Sequence, residues 1–137
     1  MASHSLGLSL HEAARKMGVP FIEENEPVDR TIKANGLNFH YLEWGDSSNP
    51  TVVMLHGVSQ QAHSWDFVSL ALSPAYHVIA VDQRGHGDTD WAPDGVYSLD
   101  AMQADIDGVI DALGLTAFNL MGHSMGGRNS FISVSYT

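Results

Sequence analysis

The chain has 137 residues, 44% of them hydrophobic, with six Lys and Arg against sixteen Asp and Glu for a net charge of −10. That length predicts a single domain, and the acidic balance excludes the clustered Lys and Arg with which nucleic acid or an anionic membrane is bound. With no cysteine there is neither a disulfide framework nor a Cys-based metal site.

No apolar run approaches the about 18 residues of a membrane span. No basic stretch followed by an apolar one marks a secretory signal, so the expectation is a cytoplasmic protein. Residues 1–29 read as a leader with a short amphipathic helix and an acidic linker, ahead of a domain over 30–137. Ser9 and Glu12 form a capping box, each side chain able to accept from the other's backbone N–H. Leu10, Ala13, Ala14 and Met17 then follow at helical spacing, and Gly18 and Pro20 stop the helix. Phe21 to Asp29 carries four acidic residues and reads as linker.

Asn35-Gly36 is a two-residue hairpin signal between strands at 30–34 and 37–44. Alternation predicts Leu37, Phe39 and Tyr41 on the core face and Asn38 and His40 toward solvent. Thr51-Val52-Val53-Met54-Leu55 and His77-Val78-Ile79-Ala80-Val81 are continuous apolar runs, the pattern of parallel strands covered on both faces. Between them, Ser64 caps a predicted helix over 64–72 with Trp65, Val68 and Leu72 on one stripe. Ser98 opens the clearest helix, 99–113, with Leu99, Met102, Ile106, Val109, Ile110 and Leu113 in period and Gly114 at its end. A last strand is predicted at 117–121. A hairpin followed by strand, helix, strand, helix and strand predicts an α/β fold, with a mainly parallel sheet and helices on both faces.

The chemistry concentrates in Gly122-His123-Ser124-Met125-Gly126, a G-x-S-x-G nucleophile elbow between an apolar strand and Gly127-Arg128-Asn129-Ser130, which opens a helix. A serine hydroxyl is a weak nucleophile and has to be presented in the open, beside a base and near donors for an oxyanion. The glycines at 122 and 126 relieve the crowding of so tight a turn. Neither the elbow nor any His spacing suggests a metal, since His4, His11, His63 and His77 have no companions at ligand spacing.

Leu55-His56-Gly57, Asp82-Gln83-Arg84-Gly85-His86-Gly87 and Gly122-His123-Ser124-Met125-Gly126-Gly127 together resemble the three signature turns of the α/β-hydrolase fold, in their usual order. The resemblance covers about residues 30 to 130 and leans to the esterase, lactonase and lipase side. Dehalogenases and epoxide hydrolases of this fold carry aspartate where this chain has Ser124. It implies a cofactor-free hydrolase of small-molecule acyl substrates, with strand 51–55 between 77–81 and 117–121. It also implies Ser124 as catalytic nucleophile, with Met125 N–H and Val58 N–H as oxyanion donors. His56, His86 and His123 are then hydrogen-bonders that orient their loops, and Asp82 and Arg84 brace the loop after the fourth strand.

The family's triad runs Ser, then Asp or Glu, then His along the chain. Met125 to Thr137 contains none of these acids and no His. The expectation is therefore a truncated α/β-hydrolase fold ending just after the elbow, an inactive fragment of a longer enzyme. The alternative is a non-catalytic small-molecule-binding module of the same fold. The tail from Phe131 alternates apolar and polar residues rich in β-formers, so it reads as a truncated helix or a departure from the family pattern after Ser130. Oligomeric state is not legible.

Overall fold

The structure, a computed structural model, describes residues 7–135. A five-stranded mixed sheet carries the molecule, ordered β1-β2-β4-β3-β5. Its strands are β1 (Val28–Ala34), β2 (Leu37–Trp44), β3 (Thr51–Leu55), β4 (His77–Val81) and β5 (Asn119–Gly122). The helices are α1 (Leu10–Lys16), α2 (Asp66–Leu72), α3 (Leu99–Ala112) and α4 (Met125–Ser135), with a 3-10 turn, Ala62–Trp65, leading into α2.

The expected parallel trio is present: β3 lies between β4 and β5, pairing Leu55 with Val81 on one side and with Gly122 on the other. The β1–β2 hairpin joins it antiparallel through β2 and β4. Asn35 and Gly36 both take left-handed φ, 46° and 78°, the geometry of a type I′ turn whose twist suits the strands.

Two apolar layers cover the sheet. On one face Leu37, Phe39, Tyr41, Val53, Leu55, Ile79 and Val81 meet Ile106, Val109 and Ile110 of α3. On the other, Leu42, Trp44, Val52, Met54, Val78 and Ala80 meet Leu10 and Ala14 of α1 and Leu70 of α2. Each fully buried side chain of this kind is worth about 1.5–3 kcal/mol. β3 and β4 are buried at every position, because both faces are covered. Helix α1 starts at the expected capping box, with Ser9 N–H donating to Glu12 Oε2 at 2.9 Å.

Three expectations are corrected. Met17 and Val68 are exposed, so the buried stripes are Leu10, His11 and Ala14 in α1, and Asp66, Ser69 and Leu70 in α2. Ser64 is not the cap of α2; helical structure begins earlier, at Ala62, and Ser64 Oγ accepts from Gln61 N–H. His40 is buried, since β2 has a neighbouring strand on each side and a covered face on each side. Of the two readings of the tail, the helix is the one present: α4 runs as far as Ser135 and packs on β5, β3 and α3, which offsets the weak local propensity.

Candidate functional site

β5 ends at Gly122, α4 begins at Met125, and Ser124 between them holds φ of 53°. A left-handed serine costs on the order of 1–3 kcal/mol and persists only when its surroundings enforce it. They do so through close backbone contact. A Cβ at Gly122 would strike the Gly126 carbonyl, and one at Gly126 would strike the Leu55 carbonyl. The elbow is pinned to β3 by His123 N–H donating to Leu55 O at 3.1 Å, and it is closed by Gly126 N–H donating to His123 O at 2.9 Å. The Ser124 side chain is exposed. Among the described residues, no hydrogen bond joins its hydroxyl to an imidazole.

The loop after β3 lies alongside, because Leu55 is in register with Gly122 and the Gly126 backbone rests against Leu55 and His56. Ser59 in this loop is also left-handed, φ 62°. Gln60 ties the two turns together, its Oε1 accepting from Gly57 N–H at 2.8 Å and from His123 Nδ1–H at 3.2 Å. His123 is exposed, and Gly57 leaves room for it: a Cβ there would sit 3.0 Å from His123 Nδ1. Val58 is exposed and Met125 buried. Gly127 lies one turn into α4, near the Gly122 carbonyl.

His56 is fully buried, and its bonds fix its tautomer. Nε2 accepts from Gln83 N–H at 3.0 Å, so the proton sits on Nδ1, which donates to Gly57 O at 2.8 Å. Burial holds its pKa below the ordinary histidine value, with the nearby His86 ring, 5.0 Å away between centroids, acting in the same direction. His86 itself bonds to Arg84 O through Nδ1 at 2.9 Å. Gln83 was not singled out from sequence. It donates through Nε2 to His56 O at 2.7 Å and accepts from Asn129 Nδ2 at 2.8 Å, so it links the loop after β3 to α4. Nothing in the local pattern marks it apart from its place between Asp82 and Arg84.

Two buried ionic clusters hold the loop after β4. Arg84 meets Asp105 of α3 through Nε at 2.6 Å and Nη2 at 2.8 Å, and its Nη1 donates to Val96 O. Asp82, 2% exposed, accepts from Ala62 N–H at 2.6 Å, Asp88 N–H at 3.0 Å and His40 Nδ1 at 2.7 Å. The donor atoms of His40, Asp82 and Asp88 lie within 4.8 Å of one another. Both His40 nitrogens already lie on carboxylate oxygens, however, and leave no ring lone pair for a cation. Among the described residues, no helix is long and apolar enough to cross a membrane.

A family model described as alpha/beta hydrolase fold matches residues 50–135. Epoxide hydrolase 4 from Mus musculus is 37% identical over 77% of this chain and 30% of its own length. N-formylmaleamate deformylase from Pseudomonas putida is 37% identical over 71% of this chain and 36% of its own. Among solved structures, an epoxide hydrolase from Vigna radiata matches with a TM-score of 0.76 and 33% identity, over 81% of this chain and 36% of that one. The chain thus spans about a third of the length of these relatives.

Proposed function

This chain belongs to the α/β-hydrolase fold family, and we propose that within it Ser124 is the nucleophile of an acyl-transferring serine hydrolase. The observation that carries the proposal is the left-handed, exposed Ser124 at a strand-to-helix elbow whose glycines admit no side chain. The serine oxygen attacks the acyl carbon of an ester, lactone or related substrate, its proton passes to a base, and the carbonyl oxygen becomes an oxyanion. Met125 N–H, directly after the nucleophile, and Val58 N–H, in the loop after β3, are the proposed donors. Each such donor is worth about 10²–10³ in rate. Water then cleaves the acyl-serine ester and restores the hydroxyl.

Serine favours acyl transfer over epoxide opening for a chemical reason. A serine oxygen that opens an epoxide ends as an ether, which offers water no carbonyl to attack. Acylated by an ester or a formyl amide, it ends as an ester that water does cleave. The relatives include a deformylase and an sn-1-specific diacylglycerol lipase from Mus musculus beside the epoxide hydrolases.

Within these 137 residues the proposed site has a nucleophile and oxyanion donors and lacks the family's acid and base. Hydroxide in alkaline solution is a substitute for the missing base, so the assignment is testable without turnover. Incubation with p-nitrophenyl acetate at alkaline pH, followed by peptide mass spectrometry, should place acetyl on Ser124 ahead of the other serines. Acetylation spread evenly over the serines, or absent from Ser124, would refute the assignment.

A further inference from the structure

His40 stands on β2 with its ring between two carboxylates: Nε2 is 2.7 Å from Asp29 Oδ1, at the start of β1, and Nδ1 is 2.7 Å from Asp82 Oδ2. An ionised carboxylate only accepts, so both bonds require an N–H, and a ring with two N–H groups is an imidazolium. Burial opposes that charge, yet the bonds to Asp29 and Asp82 outweigh it and raise the His40 pKa above the ordinary value. The two carboxylates differ. Asp82 is 2% exposed and shared with the loops on both sides, through Ala62 N–H and Asp88 N–H, whereas the Asp29 side chain is 72% exposed.

We propose that protonated His40 is a latch that fastens the start of β1 to the loops beside Ser124, and that losing its proton as pH rises opens it on the Asp29 side. A neutral ring keeps one N–H. That N–H stays on the buried Asp82, while solvent serves the exposed Asp29. The loops keep a weaker neutral bond, and the start of β1 loses its side-chain link to them while its ladder to β2 and the Asn25–Ser73 bond before it remain.

The charges nearby favour the same direction. Asp29 borders an open cleft of about 540 Å³ that is also lined by Glu12, Glu26, His63 and Asp66. Asp88 adds a carboxylate beside Asp82. His63 is held by Asp66 at 2.9 Å, and that bond raises its pKa, so its protonated form is favoured beside the same carboxylates. Farther along β2, Arg30 faces Glu43 at 3.6 Å. Once His40 is neutral, the carboxylates of the cleft lose a compensating charge and repel the segment that carries Glu26 and Asp29. The latch does not depend on Ser124 being reactive.

The test is a pH titration of the whole 137-residue protein with ¹⁵N-labelled histidine, read by NMR together with backbone amides. At neutral pH both His40 nitrogens should carry protons, and the ring should titrate above the solvent-exposed histidines. The amides of Glu26 and Asp29 should move with the same midpoint. Asp29→Asn, a substitution at an exposed side chain, should lower that midpoint, because it removes one of the two carboxylates that hold the imidazolium. His63→Gln should leave it in place, which separates the two histidines. A His40 ring with one N–H at neutral pH would overturn the proposal. So would a midpoint indifferent to Asp29→Asn, or Glu26 and Asp29 amides that do not follow the ring.

Discussion

The loops after β3 and β4 and the elbow after β5 meet at one spot but are built differently. The two loops are fastened by buried polar side chains: His56, Gln83, Asp82 and Arg84 each satisfy several backbone or carboxylate groups in places without water. The elbow is fastened mainly by backbone hydrogen bonds, His123 N–H to Leu55 O and Gly126 N–H to His123 O, and shaped by close backbone contact, Gly122 on Gly126 and Gly126 on Leu55. Among the described residues β5 is paired only on its β3 side, and Met121 on β5 and Phe131 on α4 are exposed. The candidate site thus pairs loops fastened by buried side chains with an elbow shaped by close backbone contact, and the two should fail in different ways.

The largest effect is expected on the fastened side. Arg84→Ala leaves the buried Asp105 charge with only the neutral Asn35 amide as donor, and removing one partner of such a pair costs about 3–5 kcal/mol, read as a loss of urea stability. The elbow should answer to size rather than charge. Gly126→Ala drives a methyl into the Leu55 backbone and should destabilise by about 1–3 kcal/mol. It should also change the amide resonances of residues 122–128, while those of the loop after β4 stay in place. If Arg84→Ala were the milder of the two, the contrast between the regions would be wrong.

A smaller effect should come from the strained serine. Ser124→Gly should be more stable than Ser124→Ala by about 1 kcal/mol, because glycine takes φ of 53° without a Cβ clash. Equal stabilities would mean that the left-handed backbone is not imposed.

The histidines of the fastened side set a stability window in pH. His40 has its folded pKa raised, so its contribution is complete below the unfolded value of about 6.5 and is lost as pH rises through the folded one. Burial depresses His56, so its contribution is present above about 6.5 and is lost as pH falls toward the folded value. Denaturation midpoints across pH should therefore decline on both sides, with His40→Gln flattening only the alkaline side.

Much of this was legible in the chain. The Asn35-Gly36 turn, the buried β3 and β4 and the elbow each follow from local chemistry that the tertiary structure does not contest. Three features were not legible, each because packing decides them. The burial of His40 depends on β2 being an interior strand, which alternation alone does not reveal. Asp105 lies on the apolar stripe between Met102 and Ile106, where a charge calls for a partner, but nothing local names Arg84. The β-rich residues after Ser130 leave the tail open between a truncated helix and a departure from the family pattern, and burial of Asn129 and Ser130 within α4 favours the helix.

The site as proposed has its nucleophile and its oxyanion donors but no base, and steady-state hydrolysis of p-nitrophenyl acetate at neutral pH bears on that claim. The 137-residue chain, Ser124→Ala and His86→Ala should all give the same rate, close to the background of buffer. A rate well above background that collapses in both variants would contradict it and make His86 the general base.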